Sequence, residues 1–248
     1  MSRFKWLSAR PIAHRGLHDA AAGRIENTHS AFAAAIDGHY GIECDVQLSG
    51  DGEAMVHHDD ALGRLTDGSG RLIDMTAAAL KAVAFKRTAD RMLTLGDLCS
   101  LTAGRVPLVI EIKSRFDGDT RLAQRTAQVL ADYAGPAAVM SFDPVAIETI
   151  RTVAPTLVRG IVAERHYSHA EWDPLSPAQK RALAWLTHAP RTRPQFLAYH
   201  VKDLPAAAPW LARRLFGLPL LTWTVRSEAD RLAAQRYADQ MIFEGWRP

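Results

Sequence analysis

The chain has 248 residues, with 30 Lys and Arg against 27 Asp and Glu for a formal charge of +3, and 48% hydrophobic and 23% charged residues. Those shares exclude a disordered or fibrous class, and a small net charge without a dense basic block argues against nucleic acid as a partner. The length suits one α/β barrel without division, so a single domain over residues 1–248 is expected.

In chain order, the opening MSRFKWLSAR carries charges but no apolar core of signal-peptide length. No uninterrupted apolar run approaches the ~18 residues of a membrane span. Short apolar, often β-branched runs then read as eight strands: Pro11–His14, Gly41–Leu48, Val106–Lys113, Ala137–Phe142, Leu157–Val162, Phe196–Val201, Pro219–Val225 and Gln240–Phe243. Ala- and Leu-rich helical stretches lie between them. Asn27 or Thr28 caps a helix reaching Asp37 and stopping at Gly38, Asp143-Pro144 is a cap followed by proline at the first helical position, and Ser227–Asp230 spells a capping box. Ala54–His58 follows the second strand too closely for a helix to intervene. It reads as a hairpin arm turning at SGDG, with about residues 59–91 as a small insertion above the barrel. Eight strands alternating with helices favour a TIM (β/α)8 barrel, and Trp246-Arg247-Pro248 leaves the last helix missing. Two cysteines, Cys44 and Cys99, with no Cys-x-x-Cys pair, indicate neither a disulfide framework nor a structural zinc; a cytoplasmic location is expected.

Side chains two apart in a strand share a face, about 6.6 Å apart, so Glu43 and Asp45 point one way and Cys44 the other, against an outer helix. Glu111 and Lys113 in VIEIKS repeat the pattern on the neighbouring strand. Three carboxylates so close repel, and something positive must lie among them. Either a hard divalent cation, Mg2+ or Ca2+, takes these oxygen-only ligands, or Lys113 and nearby arginines form a buried ion-pair network. His14, in the IAHRG stretch ending the first strand, reaches the same rim with Arg15 and favours the cation. In MVHHDDALGRLT, His57 and His58 alternate across the arm, so one of them faces the site. Two imidazoles, a carboxylate-held cation and an arginine suit cleavage of a phosphodiester. The cation and Arg15 stabilise charge, one His removes a proton and the other donates one. Gly16 is expected to let the backbone pass close to the phosphate.

The motifs AHRG at Ala13–Gly16, ENT at Glu26–Thr28, ECDV at Glu43–Val46, DG at Asp51-Gly52, HD at His58-Asp59 with LGRLTDGSG after it, EIK at Glu111–Lys113, SFD at Ser141–Asp143 and WTV at Trp223–Val225 follow one another in an order and spacing that resemble the glycerophosphodiester phosphodiesterases, in particular their short, cytoplasmic bacterial type. The resemblance covers nearly the whole chain. It implies a TIM barrel, a divalent metal, and hydrolysis of a small-molecule glycerophosphodiester to sn-glycerol 3-phosphate and an alcohol. Carried over by position, His14 and His58 match the catalytic pair, Glu43, Asp45 and Glu111 the metal ligands, and Arg15 and Lys113 positions facing the phosphate. The DxxLxR pattern beginning at Asp59 assigns the catalytic place to His58 rather than His57. In the family's mechanism either the neighbouring glycerol hydroxyl attacks first, giving a cyclic intermediate that water opens, or water attacks directly.

Glu26 is expected to approach His14 or join the metal shell, and Trp223 to wall the glycerol. His200 and Lys202 end a strand and are candidates for the rim. His18, His29 and His39 read as surface residues. Ile25, Arg226 and the Phe243–Gly245 stretch FEG depart from the family pattern without removing a catalytic group. The missing last helix leaves the outer faces of the eighth and first strands uncovered unless Phe4 and Trp6 fold over them, which suggests a homodimer.

Overall fold

A computed structural model describes residues 4–248, so the first three residues of the expected domain lie outside the described residues. Ten strands occur in chain order: β1 Ile12–Ala13, β2 Gly41–Leu48, β3 Ala54–Val56, β4 Leu93–Thr94, β5 Leu108–Ile112, β6 Ala137–Ser141, β7 Val158–Ala163, β8 Phe196–His200, β9 Leu220–Val225 and β10 Gln240–Phe243. Eight of them, all but β3 and β4, are parallel, and β1 pairs with both β2 and β10, closing a TIM barrel. All eight expected strands are present, each within two residues of its expected ends. The helices are α1 Lys5–Ser8, α2 His29–Asp37, α3 Ala77–Ala82, α4 Leu95–Thr102, α5 Arg121–Ala131, α6 Pro144–Val153, α7 Pro177–Ala184, α8 Ala189–Thr192, α9 Ala207–Phe216 and α10 Glu228–Tyr237.

Alternation along the strands builds two apolar layers. Ile42, Cys44 and Val46 of β2 and Leu108, Ile110 and Ile112 of β5 face outward, into a core shared with Phe32 and Leu98 of the surrounding helices. The other faces supply Val109, Met140, Phe196, Leu221 and Ile242 to the barrel interior. Along β5 the inward face changes from Val109 to Glu111, so the floor is apolar and the mouth charged. Gly160 lets the floor fill: a Cβ there would stand 2.4 Å from the Phe196 ring. From α1, Leu7 is buried in this floor cluster with Phe4 and Trp6 packed against it. Burial of a leucine contributes about 1.5–3 kcal/mol. Phe4 and Trp6 therefore pack against the apolar floor, so the alternative in which they fold over the outer seam is not the one taken.

The hairpin arm is β3, antiparallel to β2, and the chain returns through β4 to extend the sheet. Between them Leu62, Leu72, Leu80, Phe85 and Met92 form a small core of their own with Ile25 and Met55. Asp90 clamps this excursion to the barrel by accepting from the Ser30 backbone N–H at 3.2 Å and Oγ at 2.5 Å, which caps α2. The Thr28 hydroxyl does not cap; it donates to the Ile25 carbonyl. Asp143 caps α6 as expected. At α10, Ser227 accepts from the Asp230 N–H, but the Asp230 carboxylate is held by the Arg226 N–H and Lys202, so the expected box is half formed.

No helix follows β10 among the described residues. The seam is nevertheless covered: Phe243 is buried beneath the rings of Tyr40 and Trp246, with centroids 5.0 and 6.0 Å away. That removes the reason given for a homodimer there. The large exposed apolar side chains lie elsewhere, including Trp210, Leu215 and Phe216 of α9. No helix among the described residues is long and apolar enough to cross a membrane.

Candidate active site

At the mouth, β2 and β5 are in register with Asp45 beside Glu111. Carboxylate oxygens of Glu43, Asp45 and Glu111 lie within 4.8 Å of one another. Lys113 reaches back into the cluster, its Nζ 2.9 Å from Asp45 Oδ1 and 2.7 Å from Glu111 Oε1. Arg15 Nε lies 3.1 Å from Asp45 Oδ2. Burial pushes the Asp45 carboxyl up, but Lys113 and Arg15 outweigh it and hold it well below the ordinary range. Glu43 goes the other way: burial, with Asp45 and Glu111 beside it, pushes it well above the ordinary value despite Arg15.

His14 follows the two-residue strand β1. Its Nδ1 is 2.7 Å from Glu244 Oε2, and its Nε2 faces Glu43 Oε2 at 3.9 Å. Burial lowers its pKa to about 4, against the pull of the Glu244 bond. Arg15 takes a left-handed conformation, φ 55°, which turns its backbone N–H onto Glu43 Oε2 at 3.0 Å and sends its guanidinium to Glu26 at 2.8 Å. Gly16 continues the left-handed turn with φ 79°, and a Cβ would stand 2.9 Å from the Ala31 carbonyl carbon. Its smallness thus serves close packing on α2.

Across the mouth, His58 Nδ1 is 2.8 Å from Asp59 Oδ1, which leaves Nε2 as the free ring nitrogen. Gln47 Nε2 donates to the His58 carbonyl at 2.8 Å and fixes the backbone. His57 is buried against Phe85, away from the mouth, as the alternation requires. Arg64 bridges Asp59 at 2.6 Å and Glu26 at 2.7 Å. Glu26 therefore joins the site through Arg15 and Arg64, not through His14 or the carboxylate cluster, and those two arginines hold its carboxyl below the ordinary range against burial.

In this network Glu26, Glu43, Asp45, Asp59, Glu111 and Glu244 meet four permanent cations, Arg15, Arg64, Lys113 and Arg226. Two negative charges are left over when all are ionised. The oxygen-only donor set, the excess charge, and a Glu43 whose ionisation its like-charged neighbours oppose all fit a hard divalent cation. The ion-pair network and the cation site are thus the same residues, with Lys113 and Arg15 compensating part of the charge.

A cleft of about 650 Å³ runs from His58, Glu111 and Lys113 to an apolar end at Phe116, Phe142 and Trp172. Trp223 stands edge-on to Phe142, centroids 5.6 Å apart, and packs against His200 at a 54° tilt with centroids 4.9 Å apart. Lys202 turns away to Asp230.

Four residues that sequence reasoning passed over take part. Glu244 holds His14. Asn27, read as a cap, has φ 56°, donates to Asp45 Oδ2 at 2.9 Å and accepts from its backbone N–H at 3.3 Å. His18, read as a surface residue, lies beside His14 and Glu244 with Nε2 buried. Trp172 comes from the loop after β7, where no motif marks it.

A profile of the Glycerophosphoryl diester phosphodiesterase family matches residues 14–245. Among known relatives, a probable glycerophosphodiester phosphodiesterase 1 of Mycobacterium tuberculosis is 32% identical over 170 residues, 59% of this chain and 61% of that protein. A glycerophosphodiester phosphodiesterase of Caldanaerobacter subterraneus is 32% identical over 161 residues, 61% of this chain and 65% of that protein. The matched segments span less than two thirds of these relatives' length. Among solved structures, an Oleispira antarctica phosphodiesterase in complex with the product sn-glycerol-3-phosphate superposes with a TM-score of 0.75 at 23% identity, covering 96% of this chain and 94% of that one. The glycerophosphodiester phosphodiesterase of Thermotoga maritima gives 0.69 at 23% identity, covering 94% and 92%. These likenesses show a shared fold.

Proposed function

The chain belongs to the glycerophosphoryl diester phosphodiesterase family, and from that premise we propose that it hydrolyses glycerophosphodiesters to sn-glycerol 3-phosphate and an alcohol. His14 and His58 are the acid–base pair. Glu43, Asp45 and Glu111 hold one Mg2+ or Ca2+, which when bound supplies Lewis-acid polarisation of the phosphate. The observation that carries this reading is that two imidazoles flank one carboxylate cluster, each with Nδ1 against a carboxylate. That contact fixes the tautomer with the proton on Nδ1 and directs Nε2 to the reacting centre.

The diester phosphate sits over the mouth, where the Arg15 and Lys113 cations offset its charge and the charge added on attack. One imidazole Nε2 takes the proton of the attacking hydroxyl, of water or of the glycerol, as its oxygen bonds to phosphorus. The other, carrying a proton on Nε2 as well as on Nδ1, gives it to the departing alcohol oxygen as the P–O bond breaks; where the glycerol hydroxyl has attacked, water then opens the cyclic phosphate to sn-glycerol 3-phosphate. Both proton transfers are general acid–base steps, each typically worth about 10²–10⁴-fold. The alcohol arm takes the cleft toward Phe116 and Trp172, with Trp223 edge-on to Phe142. Two buried, unpaired thiols, Cys44 and Cys99, suit a reducing compartment, and we place the enzyme in the cytoplasm, acting as one domain.

The test is hydrolysis of glycerophosphocholine with Mg2+ or Ca2+ against EDTA. Activity is expected to vanish in EDTA and return with the ion, and His14→Ala and His58→Ala are each expected to lower kcat about 10²-fold or more. Full activity in either histidine variant overturns the assignment.

A further inference from the structure

We propose that His14, His18 and Glu244 form a second cation site, selective for zinc-like transition metals, directly behind the oxygen-only cluster. One ligand atom from each lies within 4.8 Å of the other two. The turn makes this possible. Arg15 and Gly16 are both left-handed, with φ 55° and 79°, and the reversal brings the imidazole four positions after His14 back to its side. His18 Nε2 is buried without a hydrogen-bond partner, an arrangement that costs free energy unless something meets the nitrogen. Two imidazoles and one carboxylate are the donors that catalytic zinc sites use, whereas Mg2+ and Ca2+ take oxygens only. The neighbouring sites therefore differ in kind: hard ions go to Glu43, Asp45 and Glu111, borderline ions to His14, His18 and Glu244.

His14 is common to both surroundings. Its Nε2 faces Glu43, while its Nδ1 faces Glu244 at 2.7 Å. A zinc ion held there competes with the Glu244 contact for the His14 ring, releases any ring proton it replaces to solvent, and leaves the imidazole no longer free to exchange protons with substrate. Hydrolysis then stops, an outcome that rests on the acid–base role given to His14 above; the binding itself does not. Arg226 opposes the ion, since its guanidinium occupies Glu244 Oε2 at 2.9 Å.

The experiment titrates the full chain with Co2+ in saturating Mg2+, reading the visible absorption that nitrogen-ligated Co2+ gives, and then displaces it with Zn2+. One equivalent is expected, bound about tenfold or more weakly by His18→Ala and by His18→Asn, and more tightly by Arg226→Ala. Within each variant, the ratio of activity with and without Zn2+ is expected to fall steeply for the unaltered chain and to stay near one for the His18 variants. Binding unchanged in both His18 variants, or Co2+ displaced by Mg2+, overturns the proposal. Co2+ bound as expected with hydrolysis unaffected leaves the site standing and counts against the role of His14 instead.

Discussion

The two histidines proposed as the acid–base pair, His14 and His58, are held by carboxylates of unequal visibility in the sequence. Asp59 is adjacent to His58, and its DxxLxR setting marks it. Glu244 is 230 residues from His14, and only closure of the barrel joins them. If Glu244 fixes the His14 tautomer, Glu244→Gln should lower kcat about 10-fold with little change in KM, and Glu244→Asp should recover part of the loss; steady-state kinetics checks the split. Glu43, Asp45 and Glu111 were legible because period-two alternation assigns a face without knowledge of the rest of the chain. Asn27 and His18 were not, because each depends on a left-handed turn, at Asn27 itself or at Arg15, that no local pattern in the sequence announces. Asn27→Ala should cost about 1–3 kcal/mol by leaving Asp45 Oδ2 and the Asp45 N–H short of a partner, read as a lower Tm.

Among the elements, the strands were read to within two residues at either end because each is a largely apolar run buried on both sides, whereas the excursion after β3 was read only as a small insertion without elements of its own. Its order comes from a private core and from contacts such as Asp90 on Ser30, made between segments 60 residues apart. Helix α4 carries a full capping box, with Thr94 accepting from the Asp97 N–H and Asp97 from the Thr94 N–H. Thr94→Ala should therefore cost about 1 kcal/mol and lower Tm by about 2–4 °C in a thermal scan, leaving KM unchanged. The loop after β7 has the opposite signature. Trp172 packs on Phe142 at 4.7 Å and on Tyr167 at 5.1 Å at the apolar end of the cleft. Trp172→Ala should raise KM for a diester with an apolar alcohol arm more than for glycerophosphoglycerol, a comparison that also measures leaving-group tolerance.

At the scale of the whole molecule, a buried acid away from the carboxylate cluster makes stability depend on pH. Glu164, just beyond β7, is 5% exposed, and burial raises its pKa to about 7, with Glu171 and Asp203 adding and Trp172 partly opposing. The native carboxyl keeps its proton up to about pH 7, while the unfolded chain releases it near 4.5, so the folded state binds the extra proton between those values. Stability must fall as pH rises through that window, by up to about 3 kcal/mol, and stay lower above it. Glu164→Gln should raise Tm at pH 8 by about 6 °C or more, with the gap narrowing toward pH 4.5 in scans of both proteins. Barrel closure has a further consequence. Because β10 is the strand that shuts the ring onto β1, translation delivers His14 and every acid of β2 and β5 well before Glu244, and the ring stays open until β10 follows. Under the proposed function, catalytic competence therefore waits on that closure, and a half-made barrel is expected to leave the phosphodiesters around it untouched.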